Sequence, residues 1–241
     1  MEQPTRPLSP QKILDVWEAG RQQHELDRAL TLLAALNPEL SRDELADLTI
    51  GERDAQLLRL RTAMFGGSAG GTSECPQCGE RVEFSLDTRT LADAGEFAEP
   101  AREIEVNGTC LRFRLPTSRD LAEAVTAPDQ SCGIRRLIEQ CVVEPRPPEE
   151  LSGEVVEALS HAMAKADPQA EIIISLGCPN CGKDWELLFD VAHFFWNEIA
   201  AQAERLVCEI DTLARVYGWT EHEILSLPAR RRRTYLEILA A

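Results

Sequence analysis

The sequence predicts an α+β fold, with a β-rich centre between a helical unit at the N-terminus and a long helix near the C-terminus. Three observations predict this arrangement. Apolar residues recur at helical spacing in both end regions, and apolar and polar residues alternate in short central stretches. Two Cys-Pro-x-Cys-Gly segments, about 100 residues apart, each lie beside such an alternating stretch. We therefore expect helices at both ends of the chain. In the middle we expect strands, with an inserted β-hairpin and helices.

The N-terminal helical unit comprises residues 1–65. Polar caps and helix-breaking residues delimit its four predicted helices. Ser9 with Pro10 begins the first helix and Gly20 ends it, and Asn37 with Pro38 ends the second, over residues 25–36. Ser41 with Glu44 begins the third helix, and Thr49 with Glu52 begins the fourth. The next residues, 66–73, are rich in glycine and serine, and we expect them to form a flexible joint.

An insertion with its own secondary structure separates the two cysteine motifs. Asn107-Gly108 is typical of the two-residue turn of a β-hairpin, which we expect over residues 103–115. Thr117 or Ser118 can then cap a helix. Two further helices are predicted over residues 132–142 and 153–165.

The two Cys-Pro-x-Cys-Gly motifs have the composition of a structural zinc site. Thiolates are strong ligands for zinc, which takes four ligands in a tetrahedron at structural sites. The proline of each motif stiffens the turn, and the glycine can take a positive φ so that main-chain N–H groups turn towards the sulfurs. The predicted ligands, which together close the coordination shell, are Cys75, Cys78, Cys178 and Cys181.

Strands are predicted beside both motifs, at residues 81–87 after the first and at residues 171–176 and 185–189 around the second. Each motif then lies at a strand turn, as in zinc ribbons. We therefore expect residues 74–190 to form a zinc-ribbon-like β centre that holds the insertion. A long insertion is tolerable because the entropy cost of loop closure grows only with the logarithm of loop length.

Three other interpretations of the motifs stay open. A Cys-x-x-Cys pair also occurs in redox-active dithiols, although those motifs open a helix within a βαβ unit. Four thiolates can also hold an iron–sulfur cluster, although twin turns of this kind favour a single ion. Finally, such a turn can persist empty after its ligands have been lost in evolution, although all four cysteines are present here.

The remaining cysteines, Cys110, Cys132, Cys141 and Cys208, lack paired spacing. Cys141 and Cys208 lie among apolar residues at helical spacing, and we expect them to be small buried hydrophobes. His193, close to the second motif, could in principle replace a ligand. We expect it instead to be an ordinary imidazole with a satisfied hydrogen bond.

A single long helix dominates the C-terminal region, residues 191–241. Asp190 can cap it, Gly218 can end it, and apolar residues recur every three to four positions in between. We expect this stripe to pack on the chain itself, although part of it could face a partner. Two short helices follow, with predicted caps at Thr220 with Glu223 and at Ser226 with Pro228.

Composition narrows the function. The net charge of −16 opposes binding to phosphate backbones and suits a protein that meets other proteins. The exception is a run of arginines at 230–233. Because four consecutive residues point to different sides of a helix, these arginines do not share one face. We therefore expect them to form the solvated start of a helix, with salt bridges to nearby acidic residues. No apolar stretch is long enough to cross a bilayer, and no phosphate loop or catalytic motif is present. Residues 1–10 are polar and lack the apolar core that is typical of a signal peptide. We expect a cytoplasmic protein that is not an enzyme.

Three segments resemble a known family when taken together. They are Thr49-Ile50-Gly51-Glu52-Arg53-Asp54, Ala166-Asp167-Pro168-Gln169-Ala170, and an ending made of Ala214-Arg215-Val216-Tyr217-Gly218-Trp219-Thr220-Glu221, Ile224-Leu225-Ser226-Leu227 and Arg231-Arg232-Arg233-Thr234-Tyr235-Leu236. This combination resembles the baseplate hub assembly chaperones of T-even-type contractile phage tails. It is more similar still to their relatives in phage-tail-like contractile injection systems. The resemblance covers almost the whole chain.

The resemblance implies a cytoplasmic factor that helps to build the baseplate or its central hub. Such a factor acts as a chaperone or stays in the particle as a minor component, and its partners are baseplate, hub or spike proteins. The resemblance carries the four cysteines over as zinc ligands. The residues that it suggests for partner binding are Tyr217, Trp219, Arg231, Arg232 and Tyr235.

Two alternatives come from other classes of protein. The first is a zinc ribbon that binds nucleic acid or a transcription complex through the arginines at 230–233. The second is a thiol oxidoreductase, in which the motif cysteines would react quickly with alkylating agents without a chelator. Zinc-bound thiolates should react only slowly.

Overall fold

The computed structural model describes residues 6–92, 102–144 and 151–240, and it has the mixed α+β architecture that the sequence predicts. The helices are α1 (Pro10–Gly20), α2 (Glu25–Leu36), α3 (Arg42–Ala46), α4 (Ile50–Phe65), α5 (Thr88–Ala92), α6 (Ser118–Ala124), α7 (Gln130–Cys141), α8 (Gly153–Ala166), α9 (Val191–Tyr217), α10 (Glu221–Ser226) and α11 (Ala229–Ala240). The strands are β1 (Ser68–Glu74), β2 (Arg81–Asp87), β3 (Arg102–Val106), β4 (Thr109–Phe113), β5 (Val142–Glu144), β6 (Ile173–Gly177) and β7 (Asp184–Leu188). Within the described ranges they form small antiparallel sheets, β1–β2, β3–β4–β5 and β6–β7.

The predicted helix caps hold almost everywhere. The Ser9 hydroxyl accepts the N–H of Lys12 at the start of α1, and the capping boxes of α3, α4 and α10 are all present. Gly218 ends α9 with a left-handed φ of 67°. Ser226 is the exception, because its hydroxyl donates to the carbonyl of His222 within α10 instead of opening α11.

The main hydrophobic core lies where α1, α2 and α4 pack against the first half of α9. Phe195 and Ile199 of α9 are fully buried there, with Leu32 and Leu33 of α2 and Leu57 of α4. Burial of side chains of this size contributes about 1.5–3 kcal/mol each. The apolar stripe of α9 thus packs on the chain itself, and the helices at the two ends of the chain share one core.

The predicted flexible joint at residues 66–73 is wrong, because most of it is strand β1. All seven residues of β1 pair with β2, and Gly71 lies opposite Phe84. The Phe84 ring covers Gly71 so closely that a Cβ there would come within 2.6 Å of a ring atom. Cross-strand contact with an aromatic ring thus stabilises a glycine-rich strand that composition alone assigns to a loop.

The insertion folds around a second, smaller core. The predicted hairpin is confirmed, since Asn107 and Gly108 connect β3 to β4 with φ values of 52° and 76°. Strand β5, which the sequence did not reveal, pairs with β4 directly after α7. The buried residues of this core include Leu111, Phe113, Ile138, Cys141 and Leu159.

Candidate metal centre

The two cysteine motifs lie at the turns of two separate β-ribbons. The first motif connects β1 to β2, and the second connects β6 to β7. Ribbon β1–β2 follows directly from α4, and ribbon β6–β7 leads directly into α9. The motif turns, here called knuckles, therefore lie at the far ends of two ribbons, one that extends from α4 and one that leads into α9.

Both knuckles have the same main-chain geometry. In the first, the N–H of Cys75 donates to the carbonyl of Glu80 and the N–H of Gly79 donates to the carbonyl of Cys75, each at 2.9 Å. The second repeats these bonds from Cys178 to Lys183 and from Gly182 to Cys178, at 2.9 and 3.0 Å. Gly79 and Gly182 have φ values of 74° and 72°. Glycine is favoured there because other L-residues are strained at such angles.

The structure brings the four predicted ligands together. Their sulfur atoms all lie within 4.8 Å of one another. Two distances between the knuckles, from Cys75 to Cys181 and from Cys78 to Cys178, are 3.6 Å. Zinc–sulfur bonds of about 2.3 Å at tetrahedral angles give sulfur–sulfur distances of about 3.8 Å. The spacing therefore fits four thiolates around a single ion, and it leaves no space for a multi-iron cluster between them.

Electrostatics also favours a cation at this point. Cys75 and Cys178 are 3% and 4% exposed, whereas Cys78 is open to solvent. Burial raises the pKa of Cys75, but main-chain N–H groups of Cys78 and Gln77 and the neighbouring thiols lower it to about 7. The Lys183 N–H lowers the pKa of Cys181, but burial and the other three cysteines raise it to about 12. Four thiolates so close together cannot all ionise unless a positive charge compensates them.

One polar contact at this centre was missed from the sequence. The side-chain Nδ2 of Asn180, in the second knuckle, lies 3.7 Å from Sγ of Cys78 in the first. Position 180 is the variable residue of its Cys-Pro-x-Cys motif, so the sequence pattern carried no signal for it. Only the meeting of the two knuckles gives this residue a role.

The other candidate residues lie outside the centre. Cys141 is fully buried as predicted, and burial raises the pKa of its thiol to about 12. Cys208 is exposed, contrary to prediction, because it lies two positions beyond buried Leu206 and therefore on the opposite side of α9. Cys110 and Cys132 are also exposed. His193 is exposed, and its Nδ1 lies 3.3 Å from a carboxylate oxygen of Glu25.

Three of the predicted partner-binding residues form an aromatic cluster at the end of α9. Tyr217 stacks on Trp219 with ring centroids 4.6 Å apart and an interplanar angle of 18°. Tyr235 of α11 meets both rings edge-on, at 5.5 and 5.0 Å. All three side chains are half-buried, so the cluster both joins α11 to α9 and shows ring surface to solvent.

The two predicted arginines differ sharply. Arg231 is exposed. The Arg232 side chain is only 3% exposed, and its Nε donates to Glu209 of α9 while its Nη1 donates to the carbonyl of Leu227, each at 2.8 Å. The assignment of Arg232 to a partner surface is therefore wrong, because its guanidinium is already bound inside the chain. The same burial removes one charge from the arginine run on which the nucleic-acid alternative depends.

Fold and site together define a helical protein with two β-ribbons whose tips share a four-cysteine centre. A family model described as T4 bacteriophage base plate protein matches residues 14–144, which is more than half of the chain. The chain therefore belongs to this family of phage baseplate proteins. The matched range includes Cys75 and Cys78 and ends before Cys178 and Cys181.

Comparison with curated proteins and with solved structures gave no significant match. Among the residues that the structure describes, no helix combines the length and the apolar character needed to span a bilayer.

Proposed function

We propose that this protein is an assembly factor for the baseplate, or for its central hub, of a contractile phage tail or phage-tail-like injection system. It acts as a chaperone or remains as a minor structural component. The observation that carries the proposal is the family match over residues 14–144, which makes other baseplate proteins its natural partners. The resemblance of the Tyr217–Tyr235 region to hub assembly chaperones supports the finer role. We propose a cytoplasmic location, where its partners are synthesised.

The proposal includes one structural zinc ion held by Cys75, Cys78, Cys178 and Cys181. Four thiolates close the coordination shell and leave no position for water or a substrate, which is the mark of a structural site. The sulfur spacing of the centre and the repeated knuckle geometry support this assignment. When bound, the ion compensates the thiolate charge and ties the two β-ribbons together. We accordingly propose that the protein is not an enzyme.

The proposed docking surface consists of Tyr217, Trp219, Tyr235 and the exposed Arg231. In protein–protein interfaces, aromatic residues and arginine are enriched among the residues that contribute most of the binding energy. Arg232 anchors this surface from within, because its bond to Glu209 fixes α11 against α9. The partner is expected to be a hub or spike protein of the same particle.

Deletion of this protein, followed by imaging of the particles, tests the role in assembly. We expect incomplete or missing baseplates, restored by the wild-type chain. Intact particles without the protein would contradict the proposal. Affinity capture from cells that express the neighbouring tail proteins should recover a baseplate, hub or spike component. Arg231→Glu should weaken this capture, whereas Lys12→Glu, the same charge change at an exposed position of α1, should not.

A further inference from the structure

The side chain of Asn180 reaches across the centre from one knuckle to the other. Its Nδ2 lies 3.7 Å from Sγ of Cys78, a distance that suits a hydrogen bond to a large sulfur atom. An amide nitrogen can only donate, and a thiolate can only accept, so the direction of this bond is fixed. Asn180 therefore supplies a donor to the centre without being one of its four sulfur ligands.

The cysteine that receives this bond is the most exposed of the four. Cys78 is exposed, whereas Cys75 and Cys178 are buried and Cys181 is intermediate. An exposed ligand is the first that a competing chelator can reach. A hydrogen bond to an ionised acceptor is also stronger than one between neutral groups, so the Asn180 amide stabilises this thiolate in particular.

We infer that Asn180 is a positioning residue for the metal centre, and that it acts by holding the Cys78 thiolate in place. This inference rests on the proposed zinc site. Groups that hydrogen-bond to metal ligands orient them and tune their affinity, and their loss typically weakens metal binding about 10- to 100-fold. The same bond links the second knuckle directly to the first, independently of the main-chain bonds that shape each knuckle.

The chain provides its own matched control. Gln77 occupies the corresponding position in the first knuckle, between Pro76 and Cys78. The main-chain bonds of the two knuckles correspond one to one. Across the described part of the chain, the Gln77 side chain makes no hydrogen bond to a sulfur. Removal of its amide should therefore leave the centre unchanged.

The test compares wild type, Asn180→Ala, Asn180→Asp and Gln77→Ala, each loaded with zinc, by the rate and extent of zinc transfer to a chromogenic chelator. We expect zinc affinity to fall about tenfold in Asn180→Ala. We expect at least as large a loss in Asn180→Asp, which keeps the shape but replaces the donor with a carboxylate. Gln77→Ala should match the wild type. Since Asn180 is exposed, all variants should fold, and circular dichroism checks this.

Cobalt(II) substitution supplies a second readout that general destabilisation does not produce. The sulfur-to-cobalt charge-transfer bands should shift in both Asn180 variants and stay in place in Gln77→Ala. Wild-type zinc retention and spectra in Asn180→Ala would overturn the inference. Wild-type behaviour of Asn180→Asp would overturn it too, because shape rather than donation would then be sufficient. A wild-type protein that takes up neither metal would contradict the proposed zinc site itself, before any variant is compared.

Discussion

The main-chain N–H of Gly51 donates to Oδ2 of Asp167 at 3.0 Å, although the two residues are 116 positions apart. Gly51 lies in the first turn of α4, and Asp167 caps the C-terminal end of α8. Two of the three segments that carry the family resemblance therefore meet at this buried contact. Negative side chains are favoured at a helix N-terminus because the first N–H groups there lack helical partners.

Gly51→Ala should destabilise the fold, because a Cβ at this position would lie 1.7 Å from Oδ1 of Asp167. In an unobstructed helix the same change stabilises by about 0.5–1 kcal/mol. Here we expect a loss of about 1–3 kcal/mol from overpacking, measured by urea unfolding. Gly153→Ala, where a Cβ meets nothing within 4 Å, is the control and should be neutral or stabilising. Equal effects in the two variants would show that the contact is not tight.

Asp167→Asn should change how stability depends on pH. Burial raises the pKa of Asp167, and the Glu52 carboxylate adds to this, although the Gly51 N–H and other main-chain N–H groups lower it. A carboxyl group whose pKa is higher in the folded chain stabilises the fold at low pH, and this contribution is lost as pH rises through the folded value. Asparagine keeps an oxygen that can accept from Gly51 but does not titrate.

We therefore expect the variant to gain stability relative to wild type as pH rises from acidic to neutral. Thermal unfolding at a series of pH values checks this. The comparison is made between the two proteins at each pH, so effects of acid on the cysteine centre cancel. A stability difference that does not change with pH would contradict the raised pKa of Asp167.

Local signals in the sequence predict most of the fold. Most of the features that the sequence does not predict depend on contacts between residues that are far apart along the chain. Helix caps such as Thr49 with Glu52 depend on neighbours three residues apart, so they are visible in the sequence. The knuckle pattern is equally local. The strand at Gly71 depends on Phe84, and the burial of Arg232 depends on Glu209. Such pairings arise only when separate elements pack, and no spacing rule reveals them.

Arg61 should be among the most important polar residues for stability. Its side chain is 4% exposed, and Nε and Nη2 bind both carboxylate oxygens of Glu198 at 2.8 and 2.7 Å. Its Nη1 also donates to the carbonyl of Gly66 at the end of α4. Arg61→Met leaves these acceptors without their donor, and we expect a loss of about 3–5 kcal/mol in chemical unfolding.

The double variant Arg61→Met/Glu198→Gln should lose less than Arg61→Met alone, because it removes the unpaired carboxylate as well. Arg215→Met is the control, since its pair with Asp211 is highly exposed and should contribute less than about 1 kcal/mol. If the double variant were as unstable as the sum of its single variants, the two side chains would not be coupled.

Removal of the proposed zinc ion should loosen the β-ribbons while the helices stay folded. None of the four cysteines belongs to either hydrophobic core of the described residues, and the main core contains the buried faces of α2, α4 and α9. A cross-link that closes a loop of about 100 residues stabilises by up to ~4.7 kcal/mol in the chain-entropy model. The folded insertion already shortens that loop, so we expect a smaller loss.

A chelator should release one zinc ion per chain, lower the unfolding temperature and expose four thiols to alkylation, with little change in helical circular dichroism. Without a chelator, Cys78→Ser should lower the unfolding temperature and expose the three remaining motif thiols to alkylation, and Cys208→Ser, at an exposed thiol outside the centre, should have neither effect. Collapse of the helical signal on chelation would mean that the centre supports the main core. Fast alkylation of the four motif cysteines before chelation, counted apart from the exposed Cys110, Cys132 and Cys208, would favour a redox dithiol over a metal site.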